Sequence, residues 1–297
     1  MPTSAMAGPS GAAPSDPQAR ASVAIPGSHG PCRLKWHRAR LRATDAPFQT
    51  RRILDGMAVG ARVEIDLVNH RGAGFAVLHD LMLGAESTGS GSIRDLEADA
   101  LLRLDRKRPD GALTGERVDT LASLMAKLAL AGTLHPEALL QLDLKDVSAD
   151  INAGSYAAFA SAVTPVARNL ILSGEDHTAL RRLAAEVPDL HLGFDPCSAQ
   201  ELARLAEDRD FAGFVQRALD AMPEARILYI EHAVVLAAAE SGINLAEILR
   251  GAGKELDAYT LRGAGPADVA TARRLAALGV SQITADDPAG LAAAFNP

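Results

Sequence analysis

From Leu34 onward the chain alternates short apolar runs with stretches whose apolar residues recur at helical spacing. Eight runs have the length and composition of strands: Leu34 to His37, Val63 to Val68, Leu139 to Leu144, Asn169 to Ser173, Leu190 to Phe194, Arg226 to Ile230, Leu256 to Thr260 and Val280 to Thr284. Amphipathic segments separate most of them, among them Val118 to Leu130, His177 to Glu186, Ala199 to Ala206, and Pro266 to Leu278 with its proline in the first turn. Strand and helix in alternation predict an α/β protein with a parallel sheet, and eight such units predict a closed (β/α)8 TIM barrel. The run Phe75 to Leu78 is not a ninth unit, because only a turn separates it from Val63 to Val68, whereas a parallel crossover needs roughly a dozen residues or more. It predicts a small hairpin excursion at the barrel rim. With Gly72-Ala73 as a two-residue turn, residue 69 pairs with 76 and residue 66 with 79, which sets His79 opposite Asp66.

Composition narrows the class. A chain of 297 residues with 48% hydrophobic content can bury a large core, and with only 4% aromatics that core is aliphatic. The formal charge of −7, without a basic stripe carrying aromatics, argues against nucleic acid as a partner. Cys32 and Cys197 stand far apart without metal-ligand spacing, which fits a reducing compartment and a cytoplasmic protein. Residues 1–31 are rich in Ala, Gly, Pro and Ser and predict a disordered leader, with one domain over residues 32–297. No apolar run is long enough to span a bilayer, and nothing in the sequence sets the oligomeric state.

Side chains alternate along a strand, so Glu64 and Asp66 share one face. Two oxygen ligands for a hard cation beside the imidazole of His79 are a plausible start to a metal-assisted hydrolytic site. Asp143 and Lys145 also stand two apart at the end of an apolar strand. In a TIM barrel the active site gathers at the carboxyl ends of the strands, where these residues fall. Each also has a plainer reading: a rim feature for Glu64 and Asp66, a buried ion pair for Asp143 and Lys145, a solvated charge for Arg38. Ser173 and Glu175 read as caps of the helix beginning near His177, and His70 as a solvated turn residue. His135, His177, His191 and His232 default to structural or surface roles.

The order of motifs resembles that of the glycerophosphodiester phosphodiesterase family, as a divergent member. The resemblance rests on His37-Arg38, Glu64-Ile65-Asp66, His79-Asp80, Asp143-Leu144-Lys145 and Thr284-Ala285-Asp286, over roughly residues 34–290. It implies hydrolysis of glycerophosphodiesters, or of a related head-group phosphodiester, to glycerol 3-phosphate and an alcohol. One divalent ion, Mg2+ or Ca2+, would be held by Glu64, Asp66 and Asp143. His37 and His79 would be the acid/base pair, with Arg38 and Lys145 on the phosphate. Tyr259, where the family often has Trp, would form part of the substrate wall. Three carboxylates, a divalent ion and two basic side chains leave about one positive charge, which suits a monoanionic diester. The sequence also carries Ala39 where the family has Gly, Pro47-Phe48-Gln49-Thr50 where it has Pro-Glu-Asn-Thr, and Asp143 where Glu is usual. Two other readings stay open: a catalytically degenerate barrel that binds a phosphorylated ligand, and a carbon–carbon lyase barrel that uses Glu and Asp for Mg2+.

Overall fold

The computed structural model describes residues 16–132 and 134–295. Eight parallel strands close into a barrel: β1 (Gly30–Trp36), β2 (Arg62–Asn69), β3 (Leu139–Leu144), β4 (Leu170–Gly174), β5 (His191–Phe194), β6 (Ile227–Glu231), β7 (Glu255–Leu261) and β8 (Gln282–Ala285). Each pairs with its sequence neighbour, and β8 and β2 both pair with β1 to complete the ring. The expected (β/α)8 TIM barrel is therefore present, with every predicted strand within a few residues of its place.

Strand alternation divides the barrel cleanly. One parity, including Leu34, Val63, Ile65, Leu140, Leu142, Leu172, Leu228 and Ile283, is fully buried in the large apolar core shared with the outer helices. The other parity faces the barrel axis. It carries Arg33, Lys35 and His37 in and just beyond β1, Arg62, Glu64 and Asp66 in β2, and Glu255, Asp257 and Tyr259 in β7. The interior is thus largely polar. Its apolar part is a small plug of Leu139, Ile171, Ile227 and Tyr229.

The helix Thr50–Val59 lies close on β1 and β2 because Gly56 presents no Cβ, which would stand 2.6 Å from Val63 and 3.2 Å from Trp36. Trp36 is fully buried and its Nε1 donates to Ser22 O at 3.1 Å, tying the preceding segment to the barrel. That segment includes a strand, Ala24–Gly27, antiparallel to β1. The leader expected over residues 1–31 therefore does not extend through it. Residues 1–15 of that expected leader lie outside the described residues.

The hairpin after β2 exists but its register differs from the expected one. Phe75–Val77 pairs with β2 as Leu67 with Val77 and Asn69 with Phe75. The turn is wider than two residues, with Gly72 and Gly74 at φ of 85° and 128° and Asn69 Nδ2 donating to Gly74 O at 2.7 Å. His79 therefore lies beyond the paired residues rather than opposite Asp66. His70 is buried in the same turn, its Nδ1 2.5 Å from Arg71 O, and not solvated as its sequence position suggests. The excursion continues through the two-stranded ladder Asp105–Lys107 with Leu113–Arg117 and has its own apolar cluster around Val68, Leu83, Ile93 and Val118. Among the described residues, no single helix is long and apolar enough to cross a membrane.

Candidate active site

Barrel pairing brings the carboxylates together before any side chain is placed. Asp66 on β2 is the register partner of Asp143 on β3, and Asp143 is that of Ser173 on β4. Glu64 lies one pleat repeat below Asp66 on the same face. Carboxylate oxygens of Glu64, Asp66 and Asp143 all fall within 4.8 Å of one another. Both Asp66 oxygens are sealed from solvent and accept no well-formed hydrogen bond, although Lys145 Nζ and Arg38 Nε lie 2.9 and 3.3 Å away. Three converging carboxylates with two orphaned oxygens have the donor chemistry of a hard divalent ion such as Mg2+ or Ca2+.

The charges of the cluster are mutually opposed. Burial, reinforced by Asp66 and Asp143, pushes the Glu64 carboxyl well above the usual range. Burial acts in the same direction on Asp143, but Lys145, 2.5 Å away, and the Ser173 hydroxyl outweigh it and hold that carboxyl below its usual value. Ser173 Oγ donates to Asp143 Oδ1 at 2.8 Å. It is therefore a support for the cluster and not a helix cap. The cap of the helix His177–Ala184 is Asp176, which accepts from Thr178 N and Ala179 N, while Glu175 is exposed.

His37 and Arg38 open a tight turn at the end of β1, in which Arg38 and Ala39 adopt φ of 52° and 57°. An L-residue in this region costs roughly 1–2 kcal/mol, and such strain gathers at functional sites. Arg38 N donates to Glu64 Oε2 at 2.6 Å and Phe48 N to Arg38 O at 2.7 Å, which hold the turn. His37 Nδ1 stands 2.6 Å from Asp286 Oδ1, and His79 Nδ1 2.6 Å from Asp80 Oδ1. A carboxylate only accepts, so in both histidines Nδ1 carries the proton and Nε2 is left to receive one. Burial lowers the His37 pKa, partly opposed by Asp286. His79 is more open, with about a third of its side chain exposed.

His37, Arg38, Glu64, His79, Asp143, Lys145 and Tyr259 line one cavity of about 180 Å3 at the carboxyl end of the barrel. Asp66 sits behind them against Arg38 and Lys145. All eight residues expected at the site are thus gathered at one mouth.

The same mouth holds residues that the sequence reading passed over. Glu86 accepts from His79 N at 3.0 Å and lies 3.6 Å from Arg38 Nη1, and burial raises its pKa. Asp195 is hydrogen-bonded to Tyr259 and Cys197 N, with burial raising its carboxyl to about 7. Beneath the cavity, Lys35 Nζ pairs with Asp257 at 2.9 Å, reaches Gln141 and lies 4.3 Å from the centre of the Tyr229 ring. Gln141 Nε2 donates to Ser173 Oγ at 2.8 Å, so a buried polar chain runs from Lys35 to Asp143. Lys35 and Gln141 each stand two residues before an expected site residue, and strand alternation is the signal that could have found them.

No protein-family profile matches the sequence, and no curated protein matches it. Solved structures do match. One is a glycerophosphoryl diester phosphodiesterase from Parabacteroides distasonis, with a TM-score of 0.62 and 18% identity over 92% of this chain and 87% of that one. A second is an Oleispira antarctica phosphodiesterase in complex with the product sn-glycerol-3-phosphate, at TM-score 0.60 and 18% identity, covering 92% of this chain and 98% of that one. The barrel shares its fold with glycerophosphodiester phosphodiesterases. A third, glycerophosphodiester phosphodiesterase from Agrobacterium tumefaciens, gives 0.58 and 19% over 88% of this chain and 99% of that one. At these identities the likeness is one of fold.

Proposed function

We propose that the protein is a divergent, metal-dependent glycerophosphodiester phosphodiesterase that releases glycerol 3-phosphate and an alcohol from small head-group diesters. The observation that carries this reading is the convergence of Glu64, Asp66 and Asp143 within 4.8 Å at a barrel mouth that also presents His37, His79, Arg38 and Lys145. A divalent ion held by the three carboxylates, Mg2+ or Ca2+, would supply charge neutralisation for an anionic ester. Arg38 and Lys145 would bind the phosphoryl oxygens. Of the two histidines, one in its neutral form takes the proton of the attacking hydroxyl at Nε2, and the other, protonated at both ring nitrogens, gives its Nε2 proton to the leaving oxygen; Asp286 and Asp80 hold the two Nδ1 protons. Tyr259 and Asp195 form the wall toward the head group. We assign the activity to one barrel domain, expected over residues 32–297 and joined by the strand Ala24–Gly27 that precedes it. We place the protein in the cytoplasm, where its two free, buried cysteines would stay reduced.

A second reading, a barrel that binds a phosphorylated ligand without turnover, is favoured by one feature: the Lys145 ammonium already bridges Asp66 and Asp143. Release of glycerol 3-phosphate from glycerophosphocholine and glycerophosphoethanolamine, with Mg2+, Ca2+ or EDTA, separates the two. Turnover that EDTA abolishes and that falls by about 10²-fold or more in His79→Ala supports the hydrolase. Phosphate binding without turnover in either metal supports the second reading.

A further inference from the structure

At the amino-terminal mouth, opposite the carboxylate cluster, lies a second cavity of about 210 Å3. Its wall carries Arg33, Arg62 and Arg250 with His29, against one carboxylate, Glu255. Two nearby acids are already engaged: Glu137 with Arg33 at 2.9 Å and Glu255 with Arg226 at 2.9 Å. Arg250 Nη2 donates to Gly279 O at 2.9 Å, which fixes that guanidinium at the rim.

Arg62 is the residue without an explanation inside the protein. It is only 9% exposed, its Nε is sealed from solvent with no hydrogen-bond partner, and among the described residues it makes no ion pair. A largely buried guanidinium attracted chiefly by Glu255, which is already paired with Arg226, is under-neutralised and unfavourable. The axis-facing positions at the corresponding level of β3, β4 and β6 are Leu139, Ile171 and Ile227, so an aliphatic side chain would continue the plug at no such cost. The amino-terminal face of a TIM barrel ordinarily serves stability, and Arg62 works against it. Burial lowers its pKa, and Arg226 and Arg33 add to the effect against the opposing pull of Glu255. An anion in the cavity would supply the missing counter-charge and offset the repulsion from Arg226 and Arg33.

We propose that this cavity is a second anion-binding site, in which Arg62, Arg33 and Arg250 take a phosphate-type dianion, either the free ion or a phosphomonoester. It is independent of the metal cluster and of the activity assigned to the other mouth.

The test uses the full chain in EDTA, titrated calorimetrically with orthophosphate and, separately, with glycerol 3-phosphate, so that the free ion and the monoester are told apart. Arg38→Ala weakens phosphate binding at the carboxyl end, where Lys145 remains, and Arg62→Met removes the guanidinium at the other end. At least one of the two ligands should bind Arg38→Ala, and affinity should fall at least tenfold when Arg62→Met is added. Arg62→Met alone should melt no lower than the parent protein in phosphate-free buffer. Should Arg62→Met fail to fold, Arg250→Gln takes its place, with crystals soaked in tungstate showing whether the cavity fills. Binding by Arg38→Ala that neither Arg62→Met nor Arg250→Gln weakens, binding by neither ligand, or an empty cavity after tungstate would each overturn the proposal.

Discussion

The two mouths of the barrel are built from the same strands and gather different charged groups. β2 shows this most directly: Arg62 opens on the amino-terminal cavity, and two and four residues later come Glu64, on the wall of the carboxyl-terminal one, and Asp66 behind it. At one end carboxylates crowd together and burial drives Glu64 toward its neutral form. At the other, arginines outnumber the acid beside them. Between the two lies a balanced layer, in which Lys35 and Asp257 pair at 2.9 Å and Gln282 and Thr284 complete the Asp257 shell. A barrel interior built for stability alone would hold aliphatic side chains at all three levels. Arginines outnumber the acid at the amino-terminal mouth, whereas the carboxylates of the other mouth stand among Arg38, Lys145 and Arg262, so the two ends differ in how far their charge is already met.

The sharpest way to break the comparison is to neutralise the acidic end. Asp66→Asn keeps the shape of the side chain and removes half of its oxygen donors, so catalytic turnover should fall by about 10³-fold or more, with a matching loss of Mg2+ or Ca2+ affinity in calorimetry. Retained metal affinity in that variant would mean that Glu64 and Asp143 suffice and that the cluster has been read wrongly. A smaller effect is expected in the middle layer. Lys35→Met leaves the Asp257 carboxylate, which has no exposed surface, with only Gln282 and Thr284, and should cost about 3 kcal/mol in urea unfolding. Adding Asp257→Leu should restore most of that loss, because two apolar side chains replace a pair that contributes little net stability. A single-variant cost below about 1 kcal/mol would show that Asp257 is satisfied without Lys35.

Much of this was legible in the sequence, for physical reasons that also explain the misses. Eight strands were readable because each is a short apolar run between amphipathic segments. The carboxylate cluster was readable because spacing by two puts Glu64 with Asp66, and Asp143 with Lys145, on one face. The hairpin register was not, because Gly72 and Gly74 allow turns of several lengths and a one-residue change moves His79 out of opposition. Ser173 looked like a cap until the structure showed Asp176, a stronger capping residue three positions on, in that role and Ser173 bound to Asp143. Glu86 lies in an aperiodic loop, and its partners Arg38 and His79 N are set by tertiary packing alone. Lys35 meets Asp257 only because β1 and β7 flank β8, which no local pattern encodes.

The smallest of these effects is also the most specific to the acidic end. Asp195 lies on the wall of the upper cavity with its carboxyl raised from 3.8 to about 7, chiefly by burial, with Asp143 and Glu175 adding to the effect. The unfolded chain releases that proton near 3.8 and the folded chain near 7, so between these values the folded state holds more protons and stability falls as pH rises. Above about 7 the full penalty is present, on the order of 2 kcal/mol once solvent access at the cavity mouth is allowed for. Asp195→Asn keeps an oxygen to accept from Cys197 N and Tyr259 while removing the charge. The variant should therefore be the more stable protein at pH 8 by about that amount, with the difference shrinking to nothing as pH approaches 4. Unfolding midpoints measured across that range decide it: parallel curves for the two proteins would show that Asp195 is ionised at little cost, and that acid crowding at the upper mouth stops at Glu64, Asp66 and Asp143.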